Sequence, residues 1–437
     1  MKYYSTNGQV APVSLETAVV KGLAGDKGLF MPEKIKRLDQ SAIESLKDKS
    51  FHEIACLVAR SFFGEDVEPD VLDELVKDTL SFDTPVVPVT DTIYSLELFH
   101  GPTLAFKDVG GRFMARLLGY FVRKQGLKDI HVLVATSGDT GSAVANGFLG
   151  VPGIRVFVLY PKGKVSPIQE CQFTTLGQNI TALEVDGTFD DCQALVKSAF
   201  MDEALNKHMV LTSANSINVA RFLPQSFYYF NAYARLDRIG KAGEVVVCVP
   251  SGNFGNITAG LFAARMGLPI KRFVAANNRN DVFLEYLATG KYTPRSSVST
   301  IANAMDVGDP SNFARILDLY KESSDVHQAI CADISGFRYT DEAIARTMRT
   351  VYEQTGYILD PHGACGYQGL IDSKLTDTEV GVFLETAHPA KFKETVDRIL
   401  VSDIAIPANL QAFMKGTKQS VELEKDFAGF KAFLLQQ

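Results

Sequence analysis

The sequence predicts an α/β protein: mostly parallel, buried sheets with helices on both faces, behind a mainly helical N-terminal region. Three observations predict it. From residue 94 onward, short apolar runs alternate with amphipathic stretches, as strands and crossover helices do. The first ninety or so residues lack that alternation and read as helices and turns. The Gly-, Ser- and Thr-rich segments directly follow the apolar runs, at the carboxyl ends of strands, where such sheets hold ligands.

The elements follow in order. SLETAVVKGLAG (14–25) reads as a short capped helix ending at glycine, and residues 41–63 carry two further helical stretches. YSLELFH (94–100) is a strand, GPT a turn, and DVGGRFMARLLGYFVRKQG a helix. IHVLVAT (130–136), RVFVLYP (155–161) and ITALEVDG (180–187) are strands. The helix after the last of these buries Phe189, Cys192, Leu195, Val196, Ala199 and Phe200. HMVLTSA leads into an amphipathic helix from about Asn218 to Leu236. EVVVCVP (244–250) is the most strand-like run of all, and KRFVAANN and VGVFLETA are further strands.

Length and composition bound the function. A chain of 437 residues exceeds one typical core, so two or three domains are expected. With 29 Phe and 15 Tyr to bury and no long polar tract, disorder is not expected. A net charge of −7 argues against nucleic acid or an anionic membrane as partner. No apolar stretch has the length of a signal peptide or a membrane span. The six cysteines are scattered, without metal-ligand spacing, which suits free thiols in a reducing cytoplasm and no metal site.

Five segments carry candidate chemistry, each with a plainer alternative. SGNFGN (Ser251–Asn256) lies between a strand and a helix. Its small residues let several N–H groups face one anion at a helix N-terminus, as a phosphate cup or simply a tight turn. It is neither a P-loop nor a dinucleotide fingerprint. TSGDTG (Thr136–Gly141) repeats the design with hydroxyls at Thr136, Ser137 and Thr140, suiting a carboxylate or phosphate, or plain helix capping. Lys107 sits between Leu104-Ala105-Phe106 and Val109-Gly110-Gly111. Such flanks would desolvate the amine and favour its neutral, nucleophilic form, whereas most lysines simply face solvent. Thr386, in the THP that closes a strand, could bond a ring nitrogen or cap a helix. NSINVAR (Asn215–Arg221) offers amides, a hydroxyl and a guanidinium that could fork onto a phosphate, or a capped helix with an exposed arginine.

No single loop decides, but their order does. A buried lysine, a Ser/Thr-Gly loop, a Gly/Asn cup and a late hydroxyl occur in this order in the tryptophan-synthase-like, fold-type II family of pyridoxal-phosphate enzymes. The wording more closely resembles the threonine synthase family, in its bacterial and fungal subgroup. The matching stretches run from residue 3 to residue 392: YYSTNG, VSLETAVVKGLAGDKGLFMPE, HGPTLAFKDVGGRF, ATSGDTGSA, YPKGKVSPIQ, ANSINVARFLPQ, PSGNFGNITAG, LDPHGACGY and TAHPAKF.

That resemblance implies two open, mostly parallel sheets and three regions: an N-terminal region 1–93, a smaller α/β domain 94–235 and a larger one 236–437. It implies pyridoxal 5'-phosphate as cofactor, held by Lys107 as a Schiff base. Gly252, Asn253, Phe254, Gly255 and Asn256 would bind its phosphate, Thr386 would face its pyridine nitrogen, and Asp139 would lie near its phenolic oxygen. Thr136, Ser137 and Thr140 would take the substrate carboxylate, and Asn215, Ser216 and Arg221 the substrate phosphate. The substrate would be O-phospho-L-homoserine, converted with water to L-threonine and phosphate by a cytoplasmic monomer or homodimer. Many wider relatives carry Asn or Gln where this chain has Asp139, so a carboxylate beside a phenolate implies a shared proton. Rival readings are a serine or threonine dehydratase, a non-catalytic relative, and a phosphosugar or nucleotide binder.

Overall fold

Parallel strands buried on both faces need apolar side chains throughout, and EVVVCVP supplies them. In the computed structural model, which describes residues 1–126 and 129–437, this run is the strand Glu244–Pro250, buried from Val245 onward. Its neighbours are Ile270–Asn277 on one side and Glu379–Glu385 on the other, both parallel. Ile334–Arg338 extends the sheet beyond the first, Ile93–Glu97 beyond the second, and Val86–Pro88 closes the edge antiparallel. The helix Pro361–Asp372 lies on the sheet, and Val246, Cys248, Val274, Leu370 and Phe383 share its core.

A second sheet is parallel throughout, in the order Val421–Glu424, Ile180–Asp186, Ile154–Pro161, Ile130–Ala135, Val210–Ser213. The helix Phe189–Met201 buries Cys192, Leu195, Val196 and Ala199 against it. Phe189 and Phe200, expected in that core, are half-buried at its margin. The helices Lys107–Gln125 and Asp139–Phe148 meet backbone to backbone: a side chain at Gly111 or Gly147 would strike the facing main chain at 2.8 Å.

The sheets define two compact units, each assembled from separated stretches. One comprises Met1, Met31–Phe106 and Phe222–Ala405, and the other Lys2–Phe30, Lys107–Arg221 and Ile406–Gln437. The expected boundaries 1–93, 94–235 and 236–437 differ from this because pairing, not sequence order, sets membership. Ile93–Glu97 pairs with Glu379–Glu385 and so joins the six-stranded sheet. The capped helix Leu15–Lys21 goes with the five-stranded one, where the Val19 carbonyl accepts from Asn218 Nδ2 at 2.9 Å. The helix expected from Asn218 to Leu236 is broken by Pro224 into Val219–Phe222, a 3-10 turn and Ser226–Arg238. All six cysteines are free, and no described helix is long and apolar enough to cross a membrane.

One ion cluster fastens the amino ends of the central strands. Glu379, with its side chain 3% exposed, accepts from Arg272 Nη2 at 3.0 Å and Nε at 3.2 Å, and lies 3.3 Å from Lys271 Nζ. The Arg272 hydrogen bonds hold its carboxyl down to about 2, against an ordinary 4.5. A lowered carboxyl pKa stabilises the fold above the ordinary value and ceases to do so as pH falls through the lowered one. Glu379→Gln is therefore expected to cost on the order of 2 kcal/mol at pH 7, with the partners' exposure already discounted. Thermal melts of variant and parent should converge as pH falls from 4.5 towards 2.

Candidate functional site

Three sequence motifs leave the same edge of the six-stranded sheet from adjacent strands. SGNFGN follows Pro250, THP follows Glu385, and HGPTLAF follows Glu97. The first is a cup. Phe254 takes the left-handed conformation (φ 61°) immediately before the helix Gly255–Arg265, turning the chain so that the first helical N–H groups stay unpaired within the helix. A non-glycine residue there costs on the order of 1–2 kcal/mol. Burial of the Phe254 ring against Phe283, 4.6 Å between centroids, offsets it. Asn256 Nδ2 ties the cup's ends by donating to the Pro250 carbonyl at 2.8 Å. The Asn253 carboxamide is engaged from outside, its Oδ1 accepting from Ser311 N at 2.6 Å, and Asn312 Nδ2 donates to the Asn253 carbonyl. Gly252 lies against the backbone of Ala304 and Met305, where a Cβ would come within 2.7 Å of Met305 Cα.

The other two motifs bind each other. Phe106 N donates to the Thr386 carbonyl at 2.8 Å, His388 N to the Leu104 carbonyl at 3.1 Å, and Ala105 bridges Ala387 antiparallel. Lys391, 1% exposed, donates to the Thr103 carbonyl, and Tyr228 Oη to that of Phe106. The chain is thus fixed up to the residue before Lys107. Thr386 is 6% exposed, and its hydroxyl has no hydrogen bond among the described residues. The cap at this turn is His388, whose Nδ1 accepts from Ala390 N at 3.0 Å. Burial first, then His100, holds its pKa down to about 4, so the ring is a neutral acceptor.

The other unit carries Lys107, half-buried, as the first residue of its nineteen-residue helix. TSGDTG and NSINVAR leave neighbouring parallel strands: Ile130 pairs with Val210 and Leu133 with Ser213, and Asn215 Nδ2 reaches the Ala135 carbonyl at 3.4 Å. Thr136 Oγ1 is saturated within its own loop, accepting from Gly138 N at 2.9 Å and Gly141 N at 2.8 Å and donating to the Gly138 carbonyl. Ser137 and Thr140 are half-buried, with hydroxyls that make no hydrogen bond among the described residues. Gly138 has φ 148°, and a Cβ there would strike the Gln169 carboxamide at 2.6 Å. That carboxamide donates to Asp139 Oδ1 at 2.8 Å, and both side chains are buried. Arg221, where solvent exposure was one reading, is 2% exposed, with Nη1 on the Ala214 carbonyl. Ser216 is half-buried beside it in sequence. Lys162 and Lys164 are exposed, and Lys162 pairs with Glu422.

Taken singly, several of these residues have the chemistry that a part of pyridoxal 5'-phosphate requires. The cup fits a phosphate monoester, since only a glycine can occupy position 252 and helical N–H groups line its exit. The Lys107 amine suits an aldehyde and the unengaged Thr386 hydroxyl a ring nitrogen. Among the described residues no group of three or more His, Cys, Asp and Glu could hold a metal ion. Sequence reasoning missed Gln169 and Ser311, whose partners lie 30 and 58 residues away, and left Asp360 and His362 without a role. A helix signature was available for Asp360, which caps Pro361–Asp372 through Gly363 N.

Comparison with known proteins agrees. A family described as "Pyridoxal-phosphate dependent enzyme" matches residues 81–384. Families described as the threonine synthase N terminus and C-terminal match residues 2–80 and 363–434. The threonine synthase of Haemophilus influenzae is 45% identical over 437 residues, with all of both chains covered. The crystal structure of threonine synthase from Escherichia coli, 42% identical, superposes with a TM-score of 0.92 over the whole of both chains. A pyridoxal-phosphate-bound threonine synthase from Brucella melitensis, 35% identical, also gives 0.92, covering 100% of this chain and 99% of that one. The chain belongs to the threonine synthase family of pyridoxal-phosphate-dependent enzymes.

Proposed function

We propose that the chain converts O-phospho-L-homoserine and water to L-threonine and inorganic phosphate, using pyridoxal 5'-phosphate held by Lys107. The observation that carries this reading is the pairing of Ile130–Ala135 with Val210–Ser213. It brings two anion-suited loops, TSGDTG and NSINVAR, to neighbouring strand ends of one unit, as a substrate with a carboxylate at one end and a phosphate at the other requires. A dehydratase substrate has no second anion to justify a buried Arg221. We read the chain as a monomeric or homodimeric enzyme acting on a small molecule; the free thiols suit a reducing cytoplasm.

When bound, the cofactor supplies an electron sink for carbanionic character at the substrate α-carbon. Lys107 Nζ takes the α-proton and returns it at the end. Ser137 and Thr140 donate to the substrate carboxylate, while Thr136, its hydroxyl already saturated, holds the loop in shape. Asn215, Ser216 and Arg221 hold the phosphate through its departure. Gly252 to Asn256 would bind the cofactor phosphate. The Thr386 hydroxyl would serve the ring nitrogen, and a hydroxyl cannot balance a pyridinium as a carboxylate would. Asp139 would share one proton with the phenolic oxygen.

The decisive experiment follows absorbance between roughly 300 and 500 nm, the range where imines of this cofactor absorb, and then phosphate and threonine release from phosphohomoserine. Equal release of both by a yellow protein supports the reaction. A yellow protein inactive on phosphohomoserine favours the dehydratase or non-catalytic readings, and a colourless protein that cannot be reconstituted overturns the cofactor assignment. Arg221→Lys keeps the charge but loses the planar fork, so KM for phosphohomoserine should rise about 10–100-fold with cofactor affinity nearly unchanged. Equal loss of both would make Arg221 structural. Asp139→Asn still offers an oxygen to Gln169 Nε2, so it removes charge with little change of shape. The absorbance titration of the bound cofactor should shift, and an unchanged titration would refute proton sharing.

A further inference from the structure

Behind the cup lies a buried polar chain that the proposed mechanism does not use. Glu385, the last residue of its strand, is fully buried. Burial first, then the Asp360 charge, hold its carboxyl well above the usual range. Its Oε1 accepts from Asp360 N at 2.6 Å. Asp360 Oδ2 in turn faces His362 Nδ1 at 2.6 Å, and both side chains are buried. On the far side of the ring, Ala304 N donates to His362 Nε2 at 3.1 Å. A backbone N–H can only donate, so Nε2 carries no proton, and the imidazole is the neutral Nδ1–H form with Asp360 as acceptor.

Ala304 and Met305 form the wall against which Gly252 rests. They belong to the single 3-10 turn Asn303–Met305. Its other end is anchored by Asp306, which accepts from Thr300 N, Thr300 Oγ1, Asn278 Nδ2 and Asn280 Nδ2 at 2.7–3.1 Å. The hydrogen bond from Ala304 N to the imidazole ties the wall to the helix Pro361–Asp372, with Met305 sharing the apolar core that includes Ala364 and Cys365.

We propose that His362 is a positioning residue for the cofactor phosphate: oriented by Asp360, it holds the Ala304–Met305 backbone at the distance from Gly252 that shapes the cup. The inference rests on the reading of SGNFGN as the cofactor phosphate site and assigns that site its supporting wall.

The test compares two conservative variants of the full-length enzyme. Gln places an acceptor where Nε2 stands, whereas Asn reaches only to where Nδ1 stands, donates there to Asp360 and leaves Ala304 N without an acceptor. The cofactor is removed, and affinity is titrated for pyridoxal 5'-phosphate and for pyridoxal, which lacks the phosphate. His362→Asn should weaken pyridoxal 5'-phosphate binding about tenfold, the effect of one unsatisfied buried N–H, and leave pyridoxal binding within about twofold. His362→Gln should restore the phosphate-dependent part, and the ³¹P resonance of the reconstituted enzyme should move in the Asn variant alone. Equal loss of both ligands would mean a purely structural histidine and overturn the proposal, as would an Asn variant with parental affinity. A parent that binds pyridoxal as tightly as its phosphate ester would instead defeat the reading of the cup itself.

Discussion

Parallel pairing of Glu379–Glu385 with Glu244–Pro250 on one side and Ile93–Glu97 on the other is the constraint on which the cup-bearing unit depends. The partners are separated by more than a hundred residues, so local sequence cannot impose the contact. Once made, it aligns three carboxyl ends. The cup, the Thr386 turn and the segment leading to Lys107 all begin where those strands stop, and the backbones of the last two hydrogen-bond each other directly. The five-stranded sheet repeats the logic: adjacent strands release the TSGDTG and NSINVAR loops side by side.

Backbone strain and buried polarity gather where the chemistry is assigned. Leu104 and Phe254, both non-glycine, adopt positive φ at the approach to Lys107 and at the cup. Such conformations persist only where surroundings over-determine them. The surroundings here are explicit: the Phe254 ring is packed, and Lys391 and Tyr228 pin the carbonyls on either side of the Leu104–Ala105 turn. Glu385, its carboxyl held well above the usual range by burial, and the doubly hydrogen-bonded His362 imidazole belong to the same gathering of buried polar groups.

Much of this was legible in the sequence because it rests on local rules. Continuous apolar runs marked the long central strands, and glycine-rich segments after them marked the loops. The short strands Val86–Pro88 and Val421–Glu424 were not legible: VVP is three residues ending at a proline and pairs with its near neighbour Tyr94–Leu96, whereas the half-charged VELE is a strand only by pairing with the distant Leu183–Asp186. Ile334–Arg338, half polar in its sequence ISGFR, is a strand for the same reason. The hydroxyl of Thr136 reads like those of Ser137 and Thr140, and only the folded loop shows it turned inward. The order of motifs identified the family, whereas the partners of Asp360 and His362 had to wait for the fold.

The interleaving of the two units bears on the order in which the molecule can be made. Beyond the crossing at Met1–Lys2, the chain passes between them at Phe30–Met31, Phe106–Lys107, Arg221–Phe222 and Ala405–Ile406. Neither unit can therefore mature as a contiguous segment while the ribosome is still translating. The six-stranded sheet lacks Glu379–Glu385, through which Ile93–Glu97 joins it, until most of the chain has emerged. The edge of Ile180–Asp186 stays bare for longer still, until Val421–Glu424 arrives to cover it. A nascent chain of this topology carries open sheet edges through nearly the whole of its synthesis. That condition invites intermolecular strand pairing and rewards chaperone protection.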